Sequence, residues 1–330
     1  MKIDRRQFIA FSSGALAVSP FARAFGDQAR PPQPPGAPGT LPPTVPMPPP
    51  AGQTPPPPAV PKFEDVRRNV GIFTMRGGTI GWLVNKDAVL AIDTQYPDTA
   101  KVCVDGIKQK AGGRKLDLVI NTHHHGDHTG GNAVFRAEAK KLVAQAGVPA
   151  LQRQVAAATP NSPAPVVADA TFDKTWSEKV GDEKVTASFN GPGHTGADAI
   201  IHFERANVVH MGDLLFIERH PRVDRAAGAS IQNWIKILEK VAKDFRADTI
   251  FIAGHAKDGL PLTGDRKALL RFRDYFDAVL ALTRKGIAAG QTKEALVATA
   301  ALPGFEGYQG GGALSLSGVL GVAFDELGAK

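Results

Sequence analysis

The chain has 330 residues, of which 43% are hydrophobic, and its 39 basic and 32 acidic side chains give a formal net charge of +7. The basic residues are dispersed and form no patch interleaved with aromatic residues, which excludes a nucleic-acid-binding protein. The single cysteine, Cys103, excludes an intrachain disulfide, so an exported fold would depend on packing and metal.

Residues 1–24 have the features of an export signal. A basic start precedes an apolar stretch at 8–18, which is too short for a stable membrane anchor, and Ala22-Arg23-Ala24 provides a cleavage site. The run Asp4-Arg5-Arg6-Gln7-Phe8-Ile9 resembles a twin-arginine signal, and an ordinary secretory signal is the alternative. We expect a periplasmic or secreted protein that uses the twin-arginine export machinery, with a net charge of about +4 after cleavage.

Sixteen prolines fall between Pro31 and Pro61. Such a run forms neither helix nor sheet, because proline lacks an amide donor and has a fixed φ. We expect residues 25–61 to be an extended, semi-rigid linker, and a ligand for a proline-binding module is the alternative. Residues 62–330 are enough for one α/β domain with a large core.

The predicted elements of this domain begin as a meander of strands and continue as strands alternating with helices. Strands are predicted at residues 70–75, 80–84, 88–92, 116–120, 185–189, 199–203, 207–210 and 249–253. Helices are predicted at 99–111, where Cys103 lies on the apolar face, at 230–245, 265–285 and 292–299, and near the C-terminus. This order indicates two mixed sheets with helices outside them.

The most informative motif follows the strand predicted at 116–120. His123, His125, Asp127 and His128 form the pattern His-x-His-x-Asp-His, with a further histidine, His124, inside it. An acid at this fixed offset favours a two-metal site over a polar turn, and a strand end lets a rigid sheet aim the ligands.

Three more candidate ligands lie downstream in glycine-flanked turns. His194 lies in Gly191-Pro192-Gly193-His194, whereas Asp213 and His255 each follow a glycine at the end of a strand-like run. Glycine lets the chain turn sharply close to a metal. The alternatives are hydrogen-bonded core histidines and a turn-forming aspartate.

With these motifs, residues 70–259 resemble the metallo-β-lactamase superfamily. The resemblance implies an α/β fold, the four-layer αββα sandwich with two mixed β-sheets and metals at one edge between them. It also implies one zinc ion held by His123, His125 and His194, a second held by Asp127, His128 and His255, and Asp213 as the bridge between the two.

Two clusters joined by an acid suit two zinc ions about 3.5–4 Å apart. We expect a hydroxide between the ions to attack the carbonyl of a small-molecule ester, thioester, lactone or lactam. Asp127 is the candidate catalytic residue, because it would handle the proton together with the second ion. No serine or cysteine nucleophile is required.

The aspartate at position 213 narrows the set of reactions that the resemblance allows. Zinc β-lactamases usually have Cys or Ser there, and one subclass has a substrate-binding Lys three residues later, where this chain has Phe216. Enzymes similar to glyoxalase II carry the bridging Asp. β-Lactam hydrolysis stays open because an exported enzyme would meet the antibiotic. An oxygenase similar to persulfide dioxygenases, with one iron, and a metal-binding protein without turnover also stay open.

We expect His124 to point away from the metals in a supporting or structural role, and His202, His210 and His220 to be ordinary histidines. A position of His210 behind the metal ligands is the alternative. Specificity would reside in loops over the site, and the segment 304–312 is either a flap or a linker. The candidate lining residues are 94–97, 219–222 and Lys257, in which Arg222 or Lys257 either pairs with a substrate carboxylate or is solvated.

Overall fold

The computed structural model describes residues 59–312 and 314–328. The predicted export signal at 1–24 and the predicted linker, apart from its last three residues, lie outside this part of the chain. Of the helices at 59–312 and 314–328, none combines the length and the apolar character that crossing a membrane requires.

The first sheet has seven strands that follow one another in chain order. They are β1 (Lys62–Arg67), β2 (Val70–Thr74), β3 (Ile80–Val84), β4 (Val89–Ile92), β5 (Leu118–Asn121), β6 (Leu142–Gln145) and β7 (Ala170–Phe172). The first four pair antiparallel, and β4 to β7 pair parallel. The central strands β4, β5 and β6 are buried at every position, which explains their continuous apolar sequences.

Helices make the crossovers that parallel strands need. They are α1 (Pro97–Lys110), α2 (Gly126–Thr129), α3 (Asn132–Glu138) and α4 (Val148–Ala158). Pro97 suits the first position of α1, where its missing amide would have had no partner. Cys103 is fully buried in an apolar cluster shared by α1, α3 and the first sheet, which confirms its packing role.

The second sheet has six strands, and a further, separate sheet has two strands. The strands of this half are β8 (Thr175–Val180), β9 (Glu183–Ser188), β10 (Ile200–Phe203), β11 (Val208–His210), β12 (Phe216–Ile217), β13 (Ile250–Ile252), β14 (His255–Ala256) and β15 (Thr263–Gly264). The six-stranded order is β15-β13-β11-β10-β9-β8, and β12 pairs with β14. The second sheet is mixed, like the first, because β11 and β13 pair parallel whereas the pairs on either side of them are antiparallel.

The remaining helices are α5 (Ile231–Asp244), α6 (Arg266–Ala288), α7 (Lys293–Val297) and α8 (Leu316–Gly328). α5, α6 and α8 contribute to one apolar cluster with the second sheet, while a second cluster fills the space between the sheets. Trp234 is fully buried in the outer cluster, and its indole Nε1 donates to the Leu214 carbonyl at 3.0 Å. Three apolar layers therefore separate four structural layers, and the predicted αββα sandwich is confirmed.

The elements that the sequence patterns did not predict are short, half-exposed or both. β1 and β8 have exposed or half-exposed side chains at nearly every position, and α3 has only seven residues. β6, β7 and α4 were also missed. The segment 304–312 is packed in this structure, since Phe305 and Tyr308 are buried and the Tyr308 ring stacks on Tyr275 at 4.9 Å.

Asp198 organises the turn between β9 and β10. Its Oδ2 accepts hydrogen bonds from the amides of Thr195 at 2.9 Å and Gly193 at 3.2 Å, and its Oδ1 accepts one from the Thr195 hydroxyl at 2.6 Å. Burial raises the pKa of this carboxyl to about 7, although these donors act in the opposite direction.

This pKa makes stability depend on pH in the metal-free protein. An unfolded Asp has a pKa of about 4, so between about pH 4 and pH 7 the folded state keeps a proton that the unfolded state releases. The free energy of unfolding should therefore fall as pH rises through this window, by at most about 4 kcal/mol, and the Asp198 contribution should be constant above it. Asp198→Asn should remove this part of the slope in urea unfolding with chelator present.

Asp105→Asn is the matched control, because Asp105 is an exposed carboxylate on α1. An unchanged pH slope in Asp198→Asn would show that Asp198 is ionised in the folded protein throughout this range.

Candidate metal centre

The seven candidate ligands come from different parts of the chain and meet at one edge of the sandwich. β5 ends at Asn121, and β11 and β13 are parallel, so their carboxyl ends lie side by side at that edge. The turns after β11 and β13 are joined by a hydrogen bond from the Gly254 amide to the Gly212 carbonyl, at 2.8 Å. The structure brings together His123, His125, Asp127, His128, His194, Asp213 and His255.

Three buried imidazoles form the first cluster. His125 Nδ1 lies 3.2 Å from His123 Nε2 and 2.9 Å from His194 Nε2. Tetrahedral coordination with zinc–nitrogen distances of 2.0–2.1 Å separates ligand nitrogens by roughly 3.4 Å. The spacing of the three nitrogens is thus close to that of a tetrahedral site.

The opposite nitrogens of two of these rings fix where the protons lie. His125 Nε2 is 2.8 Å from Asp224 Oδ2, and His194 Nδ1 is 2.8 Å from the Arg222 carbonyl. A carboxylate and a carbonyl can only accept, so these outer nitrogens are the donors. The inner nitrogen of each neutral ring therefore presents a lone pair.

The outer nitrogen of the third ring, His123, also donates to an acceptor, which is the hydroxyl of Thr122. The Thr122 hydroxyl donates to Asp93 Oδ2 at 2.7 Å, so its oxygen accepts from His123 Nδ1 at 3.0 Å. In the neutral forms of the rings, all three inner nitrogens consequently point lone pairs at one another in a buried space. A cation between them would turn this repulsion into coordination.

The second cluster contains Asp127, His128 and His255. His255 Nε2 lies 3.1 Å from Asp127 Oδ2, and His128 Nε2 lies 3.7 Å from the same oxygen. His128 Nδ1 is 2.8 Å from Asp93 Oδ2, so its outer nitrogen also donates to a carboxylate.

Asp213 lies between the clusters with one oxygen facing each. Its Oδ2 is 3.3 Å from His194 Nε2 and 3.9 Å from His123 Nε2. Its Oδ1 is 2.9 Å from His128 Nε2 and 3.4 Å from His255 Nε2. Although His128 Nε2 and Asp213 Oδ1 are close, neither has a well-aligned hydrogen-bond partner among the residues described. A metal-bridging carboxylate would have this orientation.

The two clusters differ in charge when no metal is bound. Burial lowers the pKa of His123 far below its usual value and that of His194 to about 3, so both rings are neutral. Burial also acts to lower the pKa of His128 and His255, but nearby carboxylates outweigh it. They raise the pKa of His128 well above its usual value and that of His255 to about 9.

Glycines allow the close approach of backbone to these side chains. A Cβ at Gly254 would lie 2.0 Å from Asp213 Oδ1, and a Cβ at Gly78 would lie 2.2 Å from His128 Cε1. Gly212 has φ +50°, in the left-handed region. The glycines before Asp213 and His255 were identified from their motifs, but Gly78 was missed because it lies far from the motifs in the chain.

Two acids that hold the ligands were also missed. Asp93 has φ +63°, a conformation uncommon outside glycine, and it accepts the Thr122 amide at 2.7 Å as well as the Thr122 hydroxyl and His128. Its position directly after a buried strand, like that of the ligands, was the available signal. Asp224 follows no recognisable pattern.

The other histidines lie outside the two clusters, and His210 takes the alternative of its two expected positions, behind a candidate ligand. His124 is buried beside His125, with its Nε2 3.9 Å from Asp224 Oδ2. His210 accepts the Gly212 amide at 3.1 Å and so supports the turn that carries Asp213. His220 binds the Tyr275 hydroxyl at 2.8 Å, and the His202 ring packs against Phe245.

The two basic candidates for substrate recognition have partners within the protein. Arg222 Nη2 lies 3.1 Å from Asp224 Oδ2, behind His125. Lys257 Nζ donates to the Gly307 carbonyl at 2.9 Å. Both side chains remain partly exposed, at 49% and 38%.

The chain is similar to several proteins of known sequence or structure. A "Metallo-beta-lactamase type 2" from Elizabethkingia meningoseptica is 25% identical over 203 residues, which are 59% of this chain and 78% of the relative. A solved metallo-beta-lactamase from Pontibacter korlensis has a TM-score of 0.53 at 19% identity, covering 66% of this chain and 99% of the other. The sec-alkylsulfatase Pisa1 from Pseudomonas sp. has a TM-score of 0.61 at 15% identity, covering 81% and 50%.

At these identities the solved structures show the fold alone. The sequence profile described as "Metallo-beta-lactamase superfamily" matches residues 73–255, which is more than half of the chain and includes all seven candidate ligands. The chain therefore belongs to the metallo-β-lactamase superfamily of metallo-hydrolases.

Proposed function

We propose that this protein is a binuclear zinc hydrolase that cleaves an ester, thioester, lactone or lactam. The observation that carries the proposal is the orientation of Asp213, whose two oxygens face two separate groups of imidazole nitrogens. A single metal ion would use one of these groups and leave the other without a purpose. Imidazole nitrogens and carboxylate oxygens are ligands that suit zinc.

In this proposal His123, His125 and His194 would hold one ion. Asp127, His128 and His255 would hold the other, and Asp213 would be shared between the two sets of ligands. Two zinc ions in such a site supply a nucleophile at neutral pH by lowering the pKa of water, and they polarise the carbonyl under attack. The acceptors behind His125 and His194, which are Asp224 and the Arg222 carbonyl, take the outer proton of each ring and leave the inner nitrogen of the neutral ring for a metal.

Asp127 is the residue we assign to proton transfer. Burial acts to raise its pKa, but His128 and His255 outweigh burial and hold the pKa well below the usual value. The side chain is 24% exposed, whereas that of Asp213 is only 5% exposed. Asp127 therefore offers an ionised carboxylate, accessible from solvent, that can accept a proton and deliver it to the leaving group.

β-Lactam hydrolysis is the second candidate, and the names of the relatives favour it. One subclass of zinc β-lactamases uses a Lys at the position of Phe216. Here Phe216 is buried, and its ring stacks on His255 at 5.3 Å, so it supports a candidate ligand and offers no charge to a substrate carboxylate. We therefore place esters, thioesters and lactones ahead of β-lactams as substrates.

The deciding experiment combines a metal count with a substrate panel. Purified protein should contain two zinc ions and hydrolyse at least one ester, thioester, lactone or lactam in a chelator-sensitive manner. One iron ion would instead support an oxygenase, and inactivity on the whole panel would support metal binding without turnover. Chelator-sensitive hydrolysis of nitrocefin would establish β-lactam cleavage.

Asp127→Ala should lower kcat/KM by about 10²-fold or more, as expected for loss of a general acid–base group. The fold should remain intact by circular dichroism, because Asp127 is a partly exposed side chain. Asp258→Ala, which removes an 82% exposed carboxylate near His255, is the control and should leave the rate unchanged. An unchanged rate in Asp127→Ala would contradict the role that we assign to this residue.

Gly254→Ala should impair the metal centre without changing any ligand. Its new Cβ would lie 2.0 Å from Asp213 Oδ1, so the carboxylate must move. We expect affinity for zinc to fall about 10- to 100-fold, the usual effect of disturbing the support of a ligand. Gly311→Ala is the control, because its Cβ would meet no atom within 4 Å. Equal zinc titrations for the two variants would show that the Asp213 position is not needed.

We also propose that the protein is exported by the twin-arginine route, on the basis of residues 4–9 alone. Replacing both Arg5 and Arg6 by Lys should retain the full-length chain in the cytoplasmic fraction, whereas the unchanged chain should reach the periplasm. Equal fractionation of the two would indicate an ordinary secretory signal or no signal.

A further inference from the structure

A cleft separate from the metal centre, the α4 cleft, lies between α2, α4 and the segment 162–166. Its volume is about 370 Å³. Most of its lining side chains are apolar or small, and none of the seven candidate metal ligands is among them. The apolar lining residues include Pro97, Ala133, Val155, Ala156, Pro163 and Val166.

α2 separates this cleft from the metal centre. Gly126, Thr129 and Gly130 line the cleft, and their spacing places them on one face of the turn. The two residues between them, Asp127 and His128, belong to the metal centre. The same separation holds just before α2, where His124 lines the cleft and His125 joins the first cluster.

The rim of the cleft exposes apolar side chains. Val155 is 52% exposed and Val166 is 36% exposed. Six large hydrophobic side chains are exposed among residues 59–312 and 314–328, and these two both line the cleft. Their exposure has a cost in water that an apolar ligand would remove.

Two buried acceptors in the cleft lining have no hydrogen-bond partner in the described part of the chain. They are His124 Nδ1 and Gln152 Oε1, and the two residues are only 4% and 5% exposed. Buried polar atoms are nearly always paired in folded proteins, so each unpaired atom indicates a missing partner.

The chemistry of these atoms defines that partner. The Gln152 oxygen can only accept a hydrogen bond. His124 Nε2 is the ring nitrogen nearer to the Asp224 carboxylate, which favours the tautomer with the proton on Nε2 and leaves Nδ1 as an acceptor. A molecule that fits the cleft and pairs with these acceptors must therefore carry a hydrogen-bond donor on an otherwise apolar structure.

We propose that the α4 cleft is a binding site, separate from the metal centre, for a small apolar molecule that carries a hydroxyl group. The hydroxyl donates to Gln152 Oε1 or His124 Nδ1, and the apolar body covers Val155, Ala156 and Val166. The site does not depend on metal binding or on hydrolysis, so it can be tested whether or not the proposed reaction is correct.

Phenol and toluene form a matched pair of probes, since they have similar size and only phenol has a donor. In NMR titrations of the full chain, phenol should bind more tightly than toluene. Gln152→Met keeps the length of the side chain but removes its oxygen, so it should weaken phenol binding about three- to tenfold and leave toluene binding unchanged. Titrations with and without zinc separate the cleft from phenol bound at the metal centre.

Ala156→Phe should fill the cleft and abolish binding of both probes. Ala157→Phe is the control, because Ala157 is an exposed neighbour on α4 that does not line the cleft. Thermal melts of each variant establish that it is folded. Equal binding of phenol by Ala156→Phe and the unchanged chain would overturn the proposal, as would equal affinity for phenol and toluene. A crystal structure with only water or a protein segment on the two acceptors would overturn it as well.

Discussion

The rest of this structure depends on one constraint, which is that nitrogen lone pairs of the three imidazoles in the first cluster converge in a buried space. Each ring of the first cluster donates its outer proton to an acceptor in the fold, so the inner nitrogens face one another without hydrogens. Such an arrangement is repulsive in an apolar interior, and a cation bound between the nitrogens would offset the repulsion. The surrounding sandwich provides the rigidity that holds the rings in place.

The sandwich also explains why ligands remote in the chain meet. Parallel pairing of β11 and β13 brings two carboxyl ends to one edge, and the turns after these strands carry Asp213 and His255. Because residues 212 and 254 are glycines, the two turns can touch through their backbones. The cost is entropic, since glycine loses more conformational freedom on folding than other residues do. Stability and site geometry thus come from the same strand pairing.

Charge divides the site into two halves with different properties. Burial keeps His123 and His194 of the first cluster neutral, whereas carboxylates outweigh burial in the second cluster and favour protonated His128 and His255 without metal. A metal bound by His128 and His255 would therefore have to displace protons from these two rings, whereas His123 and His194 would bind one without losing a proton. The α4 cleft lies on the other side of α2 from the metal centre, and most of its lining side chains are apolar or small.

The sequence by itself determined the ligand types, their positions at strand ends and the two mixed sheets with helices outside, because each of these follows from local spacing and periodicity. The half-exposed strands β1 and β8 escaped that reasoning, since their patterns are weak. Only the tertiary structure identified Asp224, which holds His125 from 99 positions away, and Asp93, which holds His128 from 35 positions away. The opposite pKa shifts and the α4 cleft likewise depend on distances between residues far apart in the chain, and local sequence carries no record of those distances.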